Sequence, residues 1–288
     1  MLSISPLAFY DNIQGQNHRK CYAFGQIYPL IISKNRLIPF QLCLPAGYIL
    51  NQIYLVYLQS GKRTDITSAL SLGGLTVKAT EAYTLIKYPG SQEIVAIDKE
   101  GQYYLELNIQ IESLAKKYYS EVFTSTNNTE GYIYLEYANS ENLYFKGGVI
   151  DFSNDFCFSC YLPTQIGKPK YVFEEEGIER FGYTFIESQV SKKVYNFTAL
   201  MPEFLCDALR LVRMCNKVQI TEGLDHQKVY DLIAFEMEPD WQEQGDVAAV
   251  KCSFETDTVL TNVGGYQLGP PGFNNDFNED YERKEETI

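Results

Sequence analysis

Short apolar runs separated by turn-forming clusters set the pattern of this chain. Tyr22 to Ile32, Leu37 to Leu44, Ile53 to Leu58, Leu75 to Lys78, Tyr83 to Tyr88, Ile94 to Ile97, Gln102 to Ile109 and Tyr118 to Thr124 read as strands. Between them stand Gly61-Lys62-Arg63, Gly73-Gly74, Pro89-Gly90-Ser91, Asp98 to Gly101 and Asn127-Asn128, residue types that end a strand and start a turn. Strands recurring every ten residues or so point to a β-sandwich or barrel. Residues 1–126 are therefore expected to form one antiparallel β-sandwich domain.

The polar segment Ser125 to Gly131 is the expected boundary. Beyond it, Tyr132 to Tyr137, Leu143 to Phe145, Val149 to Phe152, Phe156 to Tyr161, Thr184 to Ile186, Val194 to Thr198, Lys217 to Thr221 and Val229 to Phe235 continue the strand pattern. Ala248 to Phe254 is the clearest strand, with Ala248, Val250, Cys252 and Phe254 on one side and Ala249, Lys251, Ser253 and Glu255 on the other. Pro163 to Gly182 reads as irregular and acidic. One helix stands out, over 202–216: Leu205, Ala208, Leu209, Val212 and Cys215 share a face, and Asp207, Arg210, Arg213 and Lys217 take the opposite one. Pro202 suits the first helical position, where its missing N–H costs nothing. Cations toward the C-terminal end complement the helix dipole, whereas Met201 is a poor cap. The expected second domain, 130–263, is thus β-sandwich- or barrel-like with one flanking helix. Residues 264–288 are rich in Gly, Pro, Asn and acid, with Tyr266, Phe273, Phe277 and Tyr281 spaced along them, and read as an extended arm.

Composition narrows the function. The net charge of −13 over 288 residues argues against a nucleic-acid partner, because gripping phosphates needs clustered Lys and Arg. No basic segment followed by an apolar core marks an export signal at the N-terminus. Pro39, Gln41, Pro45 and Asn51 interrupt the most apolar stretches, so none supplies the ~20 apolar residues of a spanning helix. Seven scattered cysteines suit reduced, buried thiols made in a cytoplasm. The 23 Tyr and 17 Phe against one Trp favour strands, and leave room for interface or sugar-stacking aromatics.

Candidate chemistry is sparse. Cys157 and Cys160 form a CxxC with no second pair, and strand alternation sends them to opposite faces. Cys206 and Cys215 lie nine helical positions apart, again on opposite sides. His18 and His226 sit in polar segments without a nucleophile nearby in sequence. Glu174, Glu175, Glu176 and Glu179 could furnish the carboxylate pair of a glycosidase, although an acid run alone locates no cleft. Asn274 to Asp280 offers oxygen ligands but lacks the Gly and terminal Glu of a calcium loop. No residue is assigned a catalytic, cofactor-binding or metal-ligating role.

An ordered set of segments carries a resemblance. Asp65-Ile66-Thr67, Gly101 to Leu107, Tyr119 to Phe123, Lys193 to Leu200 running into PEFLCDALRLV, then Trp241, Ala248 to Phe254 and Thr256-Asp257 span most of the chain. Together they resemble structural proteins of tailed bacteriophages and prophages of gut Bacteroidetes, those associated with the virion tail or baseplate. The resemblance implies a non-enzymatic ring component of the tail or neck, assembled in the host bacterial cytoplasm. Its partners would be copies of itself and other virion proteins, with host surface glycan as a further contact and no membrane. Strand edges and the arm would make the contacts. A carbohydrate-binding or adhesin module presenting aromatics to glycan is the alternative, and a carboxylate-pair hydrolase the third.

Overall fold

The computed structural model describes residues 5–11, 28, 30–33, 35–146, 148–180, 183–222, 228–241 and 247–262. Its secondary structure is mainly β, with a half-barrel sheet and little helix. In chain order the elements are β1 (Phe9–Tyr10), β2 (Ile31–Ile32), β3 (Phe40–Pro45), β4 (Tyr48–Tyr57), β5 (Arg63–Asp65), α1 (Thr67–Leu72), β6 (Thr76–Ala79) and β7 (Tyr83–Tyr88). They continue with β8 (Gly101–Ile111), β9 (Leu114–Ser120), β10 (Phe123–Ser125), β11 (Ile133–Ala138), β12 (Leu143–Phe145), β13 (Gly148–Ile150) and β14 (Phe158–Leu162). Last come β15 (Lys170–Arg180), β16 (Tyr183–Pro202), α2 (Glu203–Leu209), β17 (Lys217–Glu222), β18 (Lys228–Asp231), β19 (Ala234–Trp241) and β20 (Val247–Asn262), with a 3-10 turn at Val212–Met214 after α2.

The chain forms two compact units. One comprises Met1–Lys168 and Tyr195–Phe254; the other comprises Pro169–Val194 and Glu255–Ile288. In the first unit, β8 is the central strand of a sheet ordered β1-β9-β8-β10-β2, and it also pairs β4, which pairs β5. Alternation explains its place: Tyr103, Leu105, Leu107 and Ile109 are all buried on one face. The other face is polar, and there Glu106 is nevertheless buried between Arg63 at 2.7 Å and Lys117 at 2.9 Å. The sheet is not wholly antiparallel as expected, because β2 runs parallel to β10, with Thr124 opposite Ile31. A second sheet is ordered β3-β7-β6 and a third β14-β11-β17-β18.

The two strand blocks read on either side of Ser125 to Gly131 are both present. Their apolar side chains nevertheless form one cluster, which runs from Leu7 and Phe40 through Leu105, Tyr137 and Phe158 to Phe254. The first compact unit thus continues across 126–130, where the sequence reading drew a boundary. Ala248, Val250, Cys252 and Phe254 are buried as expected.

Helix α2 follows the expected face. Leu205, Ala208, Leu209 and Val212 are buried, while Asp207, Arg210 and Arg213 are exposed. It is shorter than 202–216, however. Pro202 stands at the cap with extended backbone and no side-chain cap bond. At the other end the hydrogen bonds tighten, with Leu211 N–H donating to Ala208 O, so the chain passes into the 3-10 turn. A second helix, α1, was not expected. Ile94 to Ile97 is not a strand either; Ile94 and Ile97 are buried and tied by the Ile94 N–H to Asn35 O bond.

The largest correction concerns Pro163 to Gly182. Most of it is strand β15, antiparallel to β16 from Lys170 opposite Val194 to Arg180 opposite Tyr183, with a bulge between Glu176 and Gly177. Among the described residues β15 is terminal in the sheet β15-β16-β20-β19. Residues 264–288, the expected arm, lie outside the described residues.

Candidate functional site

A groove over one face of the β14-β11-β17-β18 sheet is the site with the most varied side chains. Strand β11 sets it up: Ile133, Leu135 and Tyr137 point into the core, so Tyr134, Glu136 and Ala138 point the other way. Register then builds two cross-strand rows. Tyr161, Tyr134, Thr221 and Val229 form one; Ser159, Glu136, Gln219 and Asp231 form the next. Two cavities of about 700 and 600 Å³ open over these rows and share Glu136, Cys157 and Gln219.

The walls of the groove come from loops. Phe152 to Phe156 closes the larger cavity, opposite Asn139, Ser140 and Asn216. Asn154 and Asp155 both adopt left-handed backbone there, with φ of 58° and 53°, a conformation these two residue types tolerate better than most. Beneath the loop, Lys87 Nζ lies 3.3 Å from Asp151 Oδ2 and donates to Ser153 O and Oγ at 3.1 and 3.2 Å. Gln41 holds the Asp151 backbone from the other side, donating to Asp151 O at 2.7 Å and accepting from Asp151 N–H at 2.9 Å. In the smaller cavity Gly90 is required, since a Cβ there would stand 2.7 Å from Leu37 O and the φ is +71°.

The Tyr134 and Tyr161 rings are 4.8 Å apart and tilted by 43°. Burial, and then the charge of Glu136, raise the pKa of Tyr134, so its hydroxyl stays protonated. The Tyr161 hydroxyl is also raised by burial, against a hydrogen bond with Ser33. Gln219 Nε2 donates to Asp231 Oδ1 at 2.9 Å, which fixes the amide. Cys157 is pushed up to about 11 by burial and by Glu136, so its thiol is a poor nucleophile at neutral pH. The arrangement supplies ring faces, amides and the carboxylates of Glu136 and Asp231 side by side; it suits recognition of a polar ligand.

Family models, characterised proteins and solved structures offer no match to this chain.

The residues singled out from sequence do not converge. Cys160 is in the core while Cys157 faces the groove, as alternation requires. Cys206 is buried on α2, and Cys215 lies beyond the 3-10 turn. Glu174, Glu175 and Glu176 are exposed on β15 and each meets a residue of β16. Lys192 Nζ donates to Glu174 at 2.9 Å, Gln189 Nε2 to Glu175 at 2.6 Å and Ser188 Oγ to Glu176 at 3.3 Å. Consecutive strand positions face opposite ways, so adjacent members of this run do not make a catalytic pair. Among the described residues no three His, Cys, Asp or Glu side chains are grouped to hold a metal. His18, His226 and the acidic segment Asn274 to Asp280 lie outside the described residues. Sequence reasoning missed the groove, although two alternating segments, IYLEYA at 133–138 and KVQIT at 217–221, carried its signal.

Proposed function

We propose that this chain is a non-enzymatic structural protein of a phage virion, a tail or neck ring component that works through contacts with copies of itself and with other tail proteins. The observation that carries the reading is the second compact unit. Its strands expose apolar side chains on both faces: Tyr171 at 63%, Val172 at 40%, Phe173 at 70% and Val259 at 59%. A terminal strand with such a surface is normally blunted or covered. Here the aromatic pair is presented outward, which suits association. The resemblance in segment order to tail and baseplate proteins supplies the biological setting, assembly in a host bacterial cytoplasm and residence in the virion.

The test is the mass of the purified full-length protein in solution, with and without residues 264–288. A closed oligomer that dissociates on truncation is the expected result. A chain that is monomeric alone and stays out of particles when co-expressed with tail proteins would overturn the reading.

The groove favours a second reading, glycan binding. Tyr134 and Tyr161 offer ring surface for stacking, and Gln219 and Glu136 offer hydrogen bonds beside it. On this reading Tyr161→Ala and Gln219→Ala each abolish glycan binding and leave the oligomer mass unchanged. Absence of any binding in a glycan screen would remove it.

A further inference from the structure

We infer that two copies of this chain pair antiparallel through β15, with Val172 of one copy opposite Val172 of the other. The inference rests on the reading of the second unit as an association surface and does not depend on the virion setting.

The charge order along the strand carries it. Lys168 and Lys170 precede the apolar triplet Tyr171-Val172-Phe173, and Glu174 to Glu176 follow it. Antiparallel pairing about Val172 sets Lys170 against Glu174 and Tyr171 against Phe173, each twice. Opposed residues in an antiparallel pair share a face, so four aromatic rings collect on one face of the joined sheet. The opposite charges gather on the other. Within one strand Lys170 and Glu174 are about 13 Å apart and cannot meet. Glu174 accepts from Lys192 through Oε1 at 2.9 Å, and its second carboxylate oxygen is the one offered to a neighbouring copy.

Other registers are worse. A parallel pairing puts lysine against lysine and glutamate against glutamate. Centring on Phe173 sets Tyr171 against Glu175 and Val172 against Glu174. Centring on Tyr171 faces Phe173 with Pro169. The edge itself is suited to pairing: β15 is terminal in its sheet, and Lys170 to Glu176 is a regular stretch that ends at the bulge before Gly177. Pro169 falls just outside it, where a missing N–H costs no ladder bond. Because each chain carries a net charge of −13, copies repel in general, and a local charge match is what directs them into one geometry.

Charge reversal in the full chain tests this. Lys170→Glu and Glu174→Lys each place like charges opposite one another at two points of the dimer. Each alone is expected to weaken self-association about tenfold in sedimentation equilibrium. Mixing the two variants restores opposite charges at both points, because one copy brings two glutamates and the other two lysines. Recovery of the pair in the mixture is expected, and it also shows that both variants are folded. An oligomer indifferent to both reversals, or one not rescued by mixing, overturns the β15 register and leaves the association reading standing. A wild-type chain that stays monomeric throughout a concentration series overturns both.

Discussion

Replacing Lys87 with Met tests what holds the groove's loop. The Lys87 ammonium and Asp151 carboxylate are 8% and 9% exposed and 3.3 Å apart, and Lys87 also donates twice to Ser153. Removing one partner of such a pair strands the other charge, which typically costs 3–5 kcal/mol. Asp151 keeps a hydrogen bond from Ser153 N–H at 2.8 Å, so the loss is expected near the lower end, about 3 kcal/mol. Pairing Lys87→Met with Asp151→Asn leaves no buried charge and should recover roughly 1–2 kcal/mol of that. The pH dependence has a defined sign. Burial pushes the Asp151 carboxyl up, but the Ser153 hydrogen bonds and the Lys87 charge pull it below the ordinary value. A depressed folded pKa gives stability that is present above the unfolded value of about 3.9 and is lost as pH falls through the folded one. The wild type should therefore lose this contribution in the acid range below about pH 4, and the double variant should not. Urea unfolding midpoints of all three proteins across that range make the measurement. A single variant within about 1 kcal/mol of wild type, or a double variant worse than the single, would refute the clamp.

Three further outcomes follow from other parts of the molecule. Glu106→Gln removes a buried carboxylate held by Arg63 and Lys117; because both cations are partly exposed and can rehydrate, the cost should be about 1–2 kcal/mol in the same urea assay. Gly90→Ala should destabilise by about 1–3 kcal/mol, since it combines left-handed backbone with a 2.7 Å approach to Leu37 O, whereas Gly61→Ala, with open space around its Cβ, should cost less. Burial pushes Cys160 and Cys252 up to about 12, so neither should label with maleimide in the native protein at pH 8, as peptide mapping by mass spectrometry would report.

Much of the core was legible because it depends on local alternation. Ala248 to Phe254 and Tyr132 to Tyr137 display a period of two with one wet face, and the structure buries the apolar set in each. The face of α2 was legible for the same reason at a period of 3.6, while its length was not, because the change to 3-10 after Leu209 leaves no mark in side-chain polarity. Local side-chain hydrogen bonds and tertiary contacts decided the remainder. Helix α1 has one buried residue, Leu70, and is started from Asp65, whose carboxylate accepts from Thr67 N–H at 2.9 Å and from its hydroxyl at 2.6 Å. Those hydrogen bonds also hold Asp65 below the usual carboxylate pKa. Nothing in TSALSL alone announces a helix. The groove was out of reach for a similar reason: Tyr134, Glu136, Gln219 and Asp231 meet only once β11, β17 and β18 are in register.

β15 shows the opposite case, a strand hidden by its own exposure. A period of two arises when one face is buried and the other is wet, so that polarity follows geometry. From Lys170 to Glu176 every residue is exposed, and no face imposes such a choice. Polarity there is free to vary along the strand, and it does: cations first, then the apolar triplet, then acids. The antiparallel ladder to β16 is fixed by backbone hydrogen bonds and by side-chain pairs such as Lys192 with Glu174, which a reading of periodicity does not register. A segment that looks irregular by the logic of the core is thus ordered by another logic, in which charge sign changes across an apolar centre. An isolated chain does not need that order for burial. It becomes useful when the neighbour is an identical strand running the other way.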